Sequence, residues 1–256
     1  MSKIDLMNVI VCDGLALAFL ALGVWKGLTR RYLYLNLYCV SLLACSAARQ
    51  VVLHSYGLRS TKYFYTYFQS DLVLAVVRYL AILSVFEIIL RDSALRDRAR
   101  RAFLACFAIV AIMSYFAISN SISHIYGRYI IELQQNMYFA SVVLTFLMCI
   151  ALAHLRVADP QLRVLVFGLG VFGGIQAGGY ALQNMLPKSI FDASWDVIRR
   201  VLPFATHIML ALWCAALIRV PAIGRVLARP EEFSEGITDH EGEMLEPVFA
   251  RVGGSR

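Results

Sequence analysis

Residues 63–101 read YFYTYFQSDLVLAVVRYLAILSVFEIILRDSALRDRARR and combine an aromatic cluster, a long apolar run and a basic block. The run from Leu72 to Leu90 holds two ionisable side chains, Arg78 and Glu87, and as an α-helix it is long enough to cross the apolar core of a bilayer. Aromatic rings favour the membrane–water interface, and arginines collect on the cytoplasmic side of membrane helices. This stretch therefore predicts a transmembrane helix that begins outside the cell and ends inside it.

The composition of the whole chain agrees with that prediction. Hydrophobic residues make up 60% of the 256 residues and charged residues only 16%, whereas soluble domains average about 25% charged residues. The net charge is +7, but the Lys and Arg residues gather at the ends of apolar segments and not along one amphipathic face. We therefore expect the lipid bilayer as the first partner and no nucleic acid partner.

Seven apolar segments predict an all-α, polytopic membrane protein, built as a seven-transmembrane-helix bundle over residues 1–220. The predicted spans cover approximately residues 7–25, 32–52, 69–90, 102–118, 137–155, 162–186 and 197–218. Fifteen Lys and Arg residues then lie on the inner side and eight on the outer side, with Arg78 inside a span. This bias predicts an outer N-terminus and an inner C-terminus. Because Asp13 interrupts the first apolar segment and no small-residue cleavage site precedes the basic cluster, we expect that segment to be retained.

The character of the chain changes at Pro221. Two basic residues, Arg225 and Arg229, precede an acidic segment with interspersed glycines that runs from Glu231 to Glu246. Such a composition is typical of disordered segments, so residues 221–256 are predicted to form a flexible cytoplasmic tail. A tail of this length is too short for a catalytic domain. We therefore expect any signal to leave through a separate cytoplasmic or membrane protein partner.

Ionisable side chains inside a membrane span are costly and indicate a functional site. Arg78 lies deep in the third span and Asp13 at a similar though shallower depth in the first, so we predict that they form an ion pair. An alternative is that the pair only fixes which helices are neighbours. Glu87 lies nine residues beyond Arg78, on the opposite helix face, and is predicted to be an interfacial acid that pairs with Arg91 at i+4.

Gln176 in the sixth span and His207 in the seventh add two polar side chains to the bundle. Together with Asp13 and Arg78 they predict a polar pocket for a ligand. A haem would need two axial histidines at matched depth, and His207 lacks such a mate in the sequence. The sequence also contains no HExxH, GxSxG or Walker motif. We therefore predict no cofactor, no metal site and no catalytic residue, and an enzyme is the least favoured class.

Glycines at four-residue spacing mark the sixth span. Gly170, Gly174 and Gly178 form a double GxxxG pattern, which lets a second helix approach closely. The pattern predicts close helix packing, either within the same bundle or with a second copy in a homodimer. A hinge beside a ligand pocket is a further alternative.

The segment Tyr63–Phe68, followed by Tyr79 and by Phe86 and Glu87, resembles a pattern in uncharacterised bacterial seven-helix membrane proteins. In that family a YFYxYW-like motif leads into a third span that ends near a glutamate, and Phe68 stands here where tryptophan is usual. More loosely, the seven-helix plan resembles the sensor region of bacterial histidine kinases. The resemblance implies a multi-pass protein of the plasma (inner) membrane and carries over no catalytic residue.

Two functions are compatible with these features. The first is a stand-alone seven-helix sensor or partner-anchoring protein that signals through a separate protein. The second is a small-solute or ion transporter with a polar path lined by Asp13, Arg78 and Gln176. The arginine-rich loop after the third span and the acidic tail resemble docking surfaces, which favours the sensor.

Overall fold

The computed structural model describes residues 3–58, 60–91, 93, 95–116, 125–155, 159–185 and 188–219, and the predicted tail over 221–256 lies outside them. Within these ranges the chain forms seven helices and no strand, which confirms the all-α class. The helices are α1 (Lys3–Trp25), α2 (Leu33–Tyr56), α3 (Thr61–Ile89), α4 (Arg96–Phe116), α5 (Ile125–His154), α6 (Pro160–Met185) and α7 (Lys188–Ile218).

Six of these helices, α1 to α6, are long and apolar enough to cross a membrane. The apolar part of α7 among the described residues, Leu202–Ile218, is shorter. Large apolar side chains also cover the outward surface of the bundle; in α4, for example, Ile109, Ile112 and Met113 are all more than half exposed. An apolar surface this extensive is expected of a multi-pass membrane protein, whose outer face meets lipid.

Helix α3 is longer than the predicted third span, because it begins at Thr61 and not near residue 69. Its start is capped by Ser60, whose hydroxyl accepts a hydrogen bond from the backbone amide of Tyr63 at 3.1 Å. The aromatic cluster therefore forms the first two turns of the helix. Its rings contact one another in tilted and edge-to-face arrangements, and the centroids of Phe64 and Phe68 lie 4.5 Å apart.

The helices form a ring in which α4 stands outside. Neighbouring pairs in the ring are α1 with α2, α2 with α3, α3 with α5, α5 with α6, α6 with α7, and α7 with α1. Helix α4 packs against α5 and, more lightly, against α3. Helix α3 also reaches α6 across the ring, so it contacts more helices than any other helix in the described structure.

Side-chain contacts assign the helix ends to two sides of the bundle. On one side, which we call the Lys26 end, the ammonium of Lys26 after α1 donates hydrogen bonds to the carbonyl oxygens of Leu217 and Ile218 at 2.6 and 2.8 Å. Arg31 before α2 pairs there with Asp159 before α6 at 2.8 Å. On the opposite side, which we call the Arg49 end, residues near the end of α2 and the start of α3 meet. Consecutive helices therefore run antiparallel, and α1 and α7 run parallel.

The interior of the ring differs between these two ends. Towards the Lys26 end it is filled by large apolar side chains that are at most 1% exposed, namely Ile82, Val85, Met148, Leu165 and Trp213. The indole nitrogen of Trp213 donates a hydrogen bond to the carbonyl oxygen of Leu165 at 3.2 Å, which ties α7 to α6. Towards the Arg49 end the interior holds charged, amide and phenolic side chains, described next.

Candidate functional site

Arg78 lies at the junction of α3, α5 and α6. It is about 25 Å along α3 from Thr61 at 1.5 Å per residue, and its side chain is only 2% exposed. Two aromatic rings lie beside the guanidinium group: its central carbon lies 4.3 Å from the ring centroid of Tyr138 on α5 and 4.5 Å from that of Phe172 on α6. Cation–π contacts of this kind stabilise a desolvated cation by about 2 kcal/mol each. The two centroids are 6.2 Å apart, so the rings stand roughly at a right angle about the cation and do not enclose it from opposite faces.

The hydrogen-bonding groups of Arg78 are not all satisfied. Its Nε and Nη2 atoms are buried and have no hydrogen-bond partner among the described residues. No carboxylate of that part of the chain lies within ion-pair distance of the guanidinium. A buried cation normally has a counter-ion and hydrogen-bond acceptors, because leaving it without them is costly. Arg78 therefore carries an uncompensated charge inside the bundle.

Two tyrosine side chains stack beside this cation. Tyr138, which contacts the guanidinium, stacks on Tyr180 of α6 with ring centroids 5.4 Å apart, and Tyr180 lies two turns beyond Phe172 towards the Arg49 end. Phenolic hydroxyl groups both donate and accept hydrogen bonds, so this pair can satisfy a polar ligand in an otherwise apolar interior.

A charged network lies between Arg78 and the Arg49 end. Asp71 is seven residues, or two turns, before Arg78 on the same face of α3. One carboxylate oxygen of Asp71 pairs with Arg49 of α2, and the other accepts a hydrogen bond from the amide of Gln134 on α5 at 3.1 Å. Arg49 also stacks over the ring of Tyr67 at 4.5 Å. The network joins α2, α3 and α5, and its charges are paired.

The candidate residues predicted from the sequence do not include this network. Asp71 lies within the predicted third span, 69–90, directly before the apolar run that begins at Leu72. The spacing of Asp71 and Arg78 was the signal that could have found it, since two charges two turns apart on one span share a helix face.

The predicted ion pair between Asp13 and Arg78 is wrong in this structure. The carboxylate of Asp13 accepts a hydrogen bond from the hydroxyl of Ser46 on α2 at 2.8 Å. Helix α1 packs against α2 and α7 and makes no contact with α3 in the described structure. The two residues sit on helices that are not neighbours in the described structure.

Gln176 and His207 also have partners of their own. The amide nitrogen of Gln176 donates a weak hydrogen bond to the carbonyl oxygen of Leu202 on α7 at 3.4 Å. The Nε2 atom of His207 lies 3.0 Å from the carbonyl oxygen of Asn8 on α1; because a carbonyl only accepts, Nε2 carries the hydrogen. These bonds join α6 to α7 and α7 to α1, so they do not bring the side chains to Arg78. Whether either one contacts a ligand stays a prediction.

The predicted partner of Glu87 is also wrong. Its carboxylate lies 3.5 Å from the guanidinium of Arg100 on α4, and not beside Arg91. Helix α3 ends at Ile89 with Leu90 as its C-cap, so Arg91 is beyond the helix and i+4 geometry no longer applies. Glu87 is nevertheless at the Lys26 end, where it connects α3 to the peripheral helix α4.

The close approaches of α6 do not involve the predicted glycines as a set. A Cβ atom at Gly170 would lie 3.3 Å from Thr145, but one at Gly174 or Gly178 would meet no atom within 4 Å. The tight positions are instead Gly168 and Gly179. A Cβ atom at Gly168 would lie 3.1 Å from Trp213, and one at Gly179 would lie 2.8 Å from Leu202. The prediction of close packing at Gly174 within the bundle is therefore wrong, because that part of the four-residue pattern points outwards.

Two more polar atoms without partners lie at the Lys26 end. They are the hydroxyl of Tyr32 and the side-chain amide nitrogen of Gln161, both buried. Burial raises the pKa of Tyr32 to about 12, with Arg31 opposing and Asp159 adding to that effect, so the hydroxyl stays protonated. Across the described residues, no three His, Cys, Asp or Glu side chains come together as a metal site.

Comparison with known proteins adds no family to this description. Protein families, curated proteins and solved structures gave no match to this chain. The resemblance of the Tyr63–Phe68 segment to uncharacterised bacterial membrane proteins thus stays a prediction.

Proposed function

We propose that this protein is a seven-span sensor of the bacterial plasma membrane, with its N-terminus outside, its C-terminus inside and its ligand site around Arg78. The observation that carries this proposal is the buried guanidinium, which contacts two aromatic rings and has no counter-ion among the described residues. Because an unpaired charge inside a membrane protein is costly, its retention favours a functional role.

The topology in this proposal has two supports. The contact of Lys26 with Leu217 and Ile218 puts the ends of α1 and α7 on the same side of the bundle, as an odd number of spans requires. At the Lys26 end α4 also begins with Arg96, Arg98, Arg100 and Arg101, so the loop predicted for them is in fact the first turns of a helix. The positive-inside rule favours the cytoplasm for this end.

A sensor is favoured over a transporter by the filling of the interior. Polar side chains extend from the Arg49 end as far as Arg78, whereas Ile82, Val85 and Trp213 close the interior beyond it. The transport path predicted from Asp13, Arg78 and Gln176 has less support, because each of these side chains contacts a different set of helices. A site that is closed on one side suits reversible binding better than passage.

Helix α3 supplies a route from the site to the inner side. It carries Asp71 near the Arg49 end, Arg78 in its middle and Glu87 near the Lys26 end, where Glu87 contacts Arg100 of α4. A shift of α3 on ligand binding would move that contact. We propose that the connection between α3 and α4 presents this change to a separate protein partner.

The test is hydrogen exchange of the full chain in phosphatidylcholine nanodiscs. Acetate, inorganic phosphate, glucose and choline serve as anionic, neutral and cationic probes. A probe that slows exchange in α3 around Arg78 and also changes exchange between residues 87 and 100 supports a sensor. The R31Q variant, which lacks an ion pair at the Lys26 end, should respond as the wild type does.

The same probes separate the sensor from the transporter. Proteoliposomes loaded with the binding probe should retain it, with or without this protein in their membrane. If the protein causes flux of the probe and the R78Q variant loses that flux, the protein is a transporter and the sensor proposal fails.

A further inference from the structure

We propose that Arg78 binds the carboxylate or phosphate group of an anionic ligand through the edge formed by its Nε and Nη2 atoms. This proposal rests on the proposed function, since it names the class of ligand for the same site. The anion comes either from a small solute or from the headgroup of an anionic lipid, and the experiment below distinguishes these sources.

The first argument is the identity of the two atoms without partners. Nε and Nη2 lie on the same edge of a guanidinium group, where their N–H bonds point in parallel. This edge matches the two oxygens of a carboxylate or a phosphate and can donate one hydrogen bond to each.

The second argument is the orientation that the rings impose. Tyr138 and Phe172 lie 4.3 and 4.5 Å from the central carbon of the guanidinium and 6.2 Å from each other, so they hold the group from two adjacent directions. An anion gains hydrogen bonds at the rim of the group, where the N–H bonds are. Such fixed positioning lowers the entropy lost on binding.

The third argument is that the nearby carboxylates of the described structure do not compete with a ligand for Arg78. Asp71 is the acidic residue two turns from Arg78 on the same helix face, and its two oxygens are taken by Arg49 and Gln134. Asp13 is held by Ser46. The nearby carboxylates of the described structure therefore have other partners, and the positive charge of Arg78 remains for a ligand.

Access to this edge needs a side-chain movement. Both nitrogen atoms are covered by protein in this structure. Tyr180 stacks on Tyr138 on the side of the Arg49 end, and this pair is the first cover that a ligand from that end would meet. When it moves, the hydroxyl groups of Tyr138 and Tyr180 become available as further donors to the anion.

The experiment measures anion binding by thermal shift in phosphatidylcholine nanodiscs. The probes are acetate, benzoate, inorganic phosphate and sulfate, with acetamide and benzamide as uncharged controls of similar shape. A second set of nanodiscs contains phosphatidylglycerol, with no added solute. At least one anion, or the anionic lipid, should raise the melting temperature of the wild type in a concentration-dependent manner, and the amides should not.

Variants assign any binding to the Arg78 edge. R78Q removes the charge, and R78K keeps a charge but loses the parallel pair of donors. Both should weaken binding of the active probe by about tenfold or more, since each loses charge-assisted hydrogen bonds. R31Q, which removes a cation already paired with Asp159, should bind as the wild type does.

Each outcome decides the proposal. It is overturned if none of the anions and neither lipid composition stabilises the wild type, if the amides act as well as the acids, or if R78K binds as tightly as the wild type. Stabilisation by phosphatidylglycerol alone identifies a lipid headgroup, and stabilisation by a solute in pure phosphatidylcholine identifies a soluble anion. If an anion binds but hydrogen exchange between residues 87 and 100 does not change, this proposal stands and the proposed sensor function fails. If glucose or choline changes exchange there and no anion binds, the sensor function stands and this proposal fails.

Discussion

Two arginines of this bundle differ in how their charges are compensated. Arg49 and Arg78 both lie inside helices that are apolar enough to cross a membrane. Arg49 has the carboxylate of Asp71 as its partner, whereas Arg78 has two aromatic rings and two donors that are not satisfied. The first arginine is part of a paired network, and the second is a charge that the fold tolerates at a cost.

The same substitution at these two positions should therefore act in opposite directions. R78M removes a buried charge without a counter-ion and keeps much of the side-chain volume, so we expect it to stabilise the ligand-free protein by about 1 to 4 kcal/mol. R49M leaves the carboxylate of Asp71 without its cation and should destabilise, by less than the about 3 to 5 kcal/mol of a fully buried pair, because both side chains are 22% exposed. Thermal unfolding in one detergent compares both variants with the wild type. Equal losses of stability in the two variants would mean that the rings alone compensate the Arg78 charge.

At the scale of the helix, α6 carries two kinds of glycine. Gly168 and Gly179 face side chains of α7 at distances that leave no room for a Cβ atom without movement. Gly174 and Gly178 are exposed and meet nothing. The first kind permits close packing of the helix, and the second kind only costs helix propensity inside the bundle.

Alanine substitutions distinguish these glycines. G168A places a methyl group against the ring of Trp213, whose position is fixed by its hydrogen bond to Leu165, and should destabilise by about 1 to 3 kcal/mol. G174A is the matched control on the same helix and should be neutral or stabilising by up to about 1 kcal/mol. Thermal unfolding provides the comparison. A loss in G174A as large as that in G168A would contradict the outward orientation of Gly174.

The homodimer left open by the sequence can be tested at the same position. A leucine at Gly174 would fill the outward face without touching the bundle. If a second copy packs there, G174L should shift the protein from dimer to monomer in light scattering at unchanged melting temperature. An unchanged mass would remove this face from consideration as the dimer contact.

The sequence predicts the helices and the buried position of Arg78, but it does not predict the partners of the buried charges. Apolar runs and basic ends locate membrane helices along the chain, and one arginine within such a run is visible directly. Depth along a helix says nothing about which helices are adjacent, and this is why Asp13 was matched with Arg78 although α1 and α3 do not touch in the described structure. Glu87 was assigned to Arg91 because the end of α3 could not be located to within one turn.

For the molecule as a whole, the proposed orientation gives a labelling prediction. Ser93 lies between α3 and α4 at the Lys26 end, and Leu58 lies between α2 and α3 at the Arg49 end. With S93C and L58C compared in intact cells, an impermeant thiol reagent should label only L58C, and both should react after permeabilisation. The wild type serves as the blank, because its native cysteines lie in apolar segments. Labelling of S93C alone would invert the orientation.

The acidic tail is the second whole-molecule feature that can be tested. The segment from Glu231 to Glu246 is acidic and the start of α4 from Arg96 to Arg101 is basic, so either can attract a partner of opposite charge. Removal of the residues after Arg229 should leave the melting temperature and anion binding unchanged and should reduce the recovery of a co-purifying protein in mild detergent. Unchanged recovery would remove the tail from the proposed signalling route.

The contact between Lys26 and the last carbonyls of α7 has a consequence for biosynthesis. Lys26 is made early and buried late, because the oxygens that accept its hydrogen bonds belong to residues translated almost two hundred positions afterwards. Until then its ammonium must stay in contact with water or headgroups, and the first helix cannot settle fully into its place. This contact cannot form before α7 has been made; in it the lysine docks on a helix C-terminus, where it satisfies free carbonyls and the negative end of the helix dipole. In a chain that stops before α7 the charge of Lys26 would stay exposed. This exposed lysine would distinguish an incomplete bundle from a complete one.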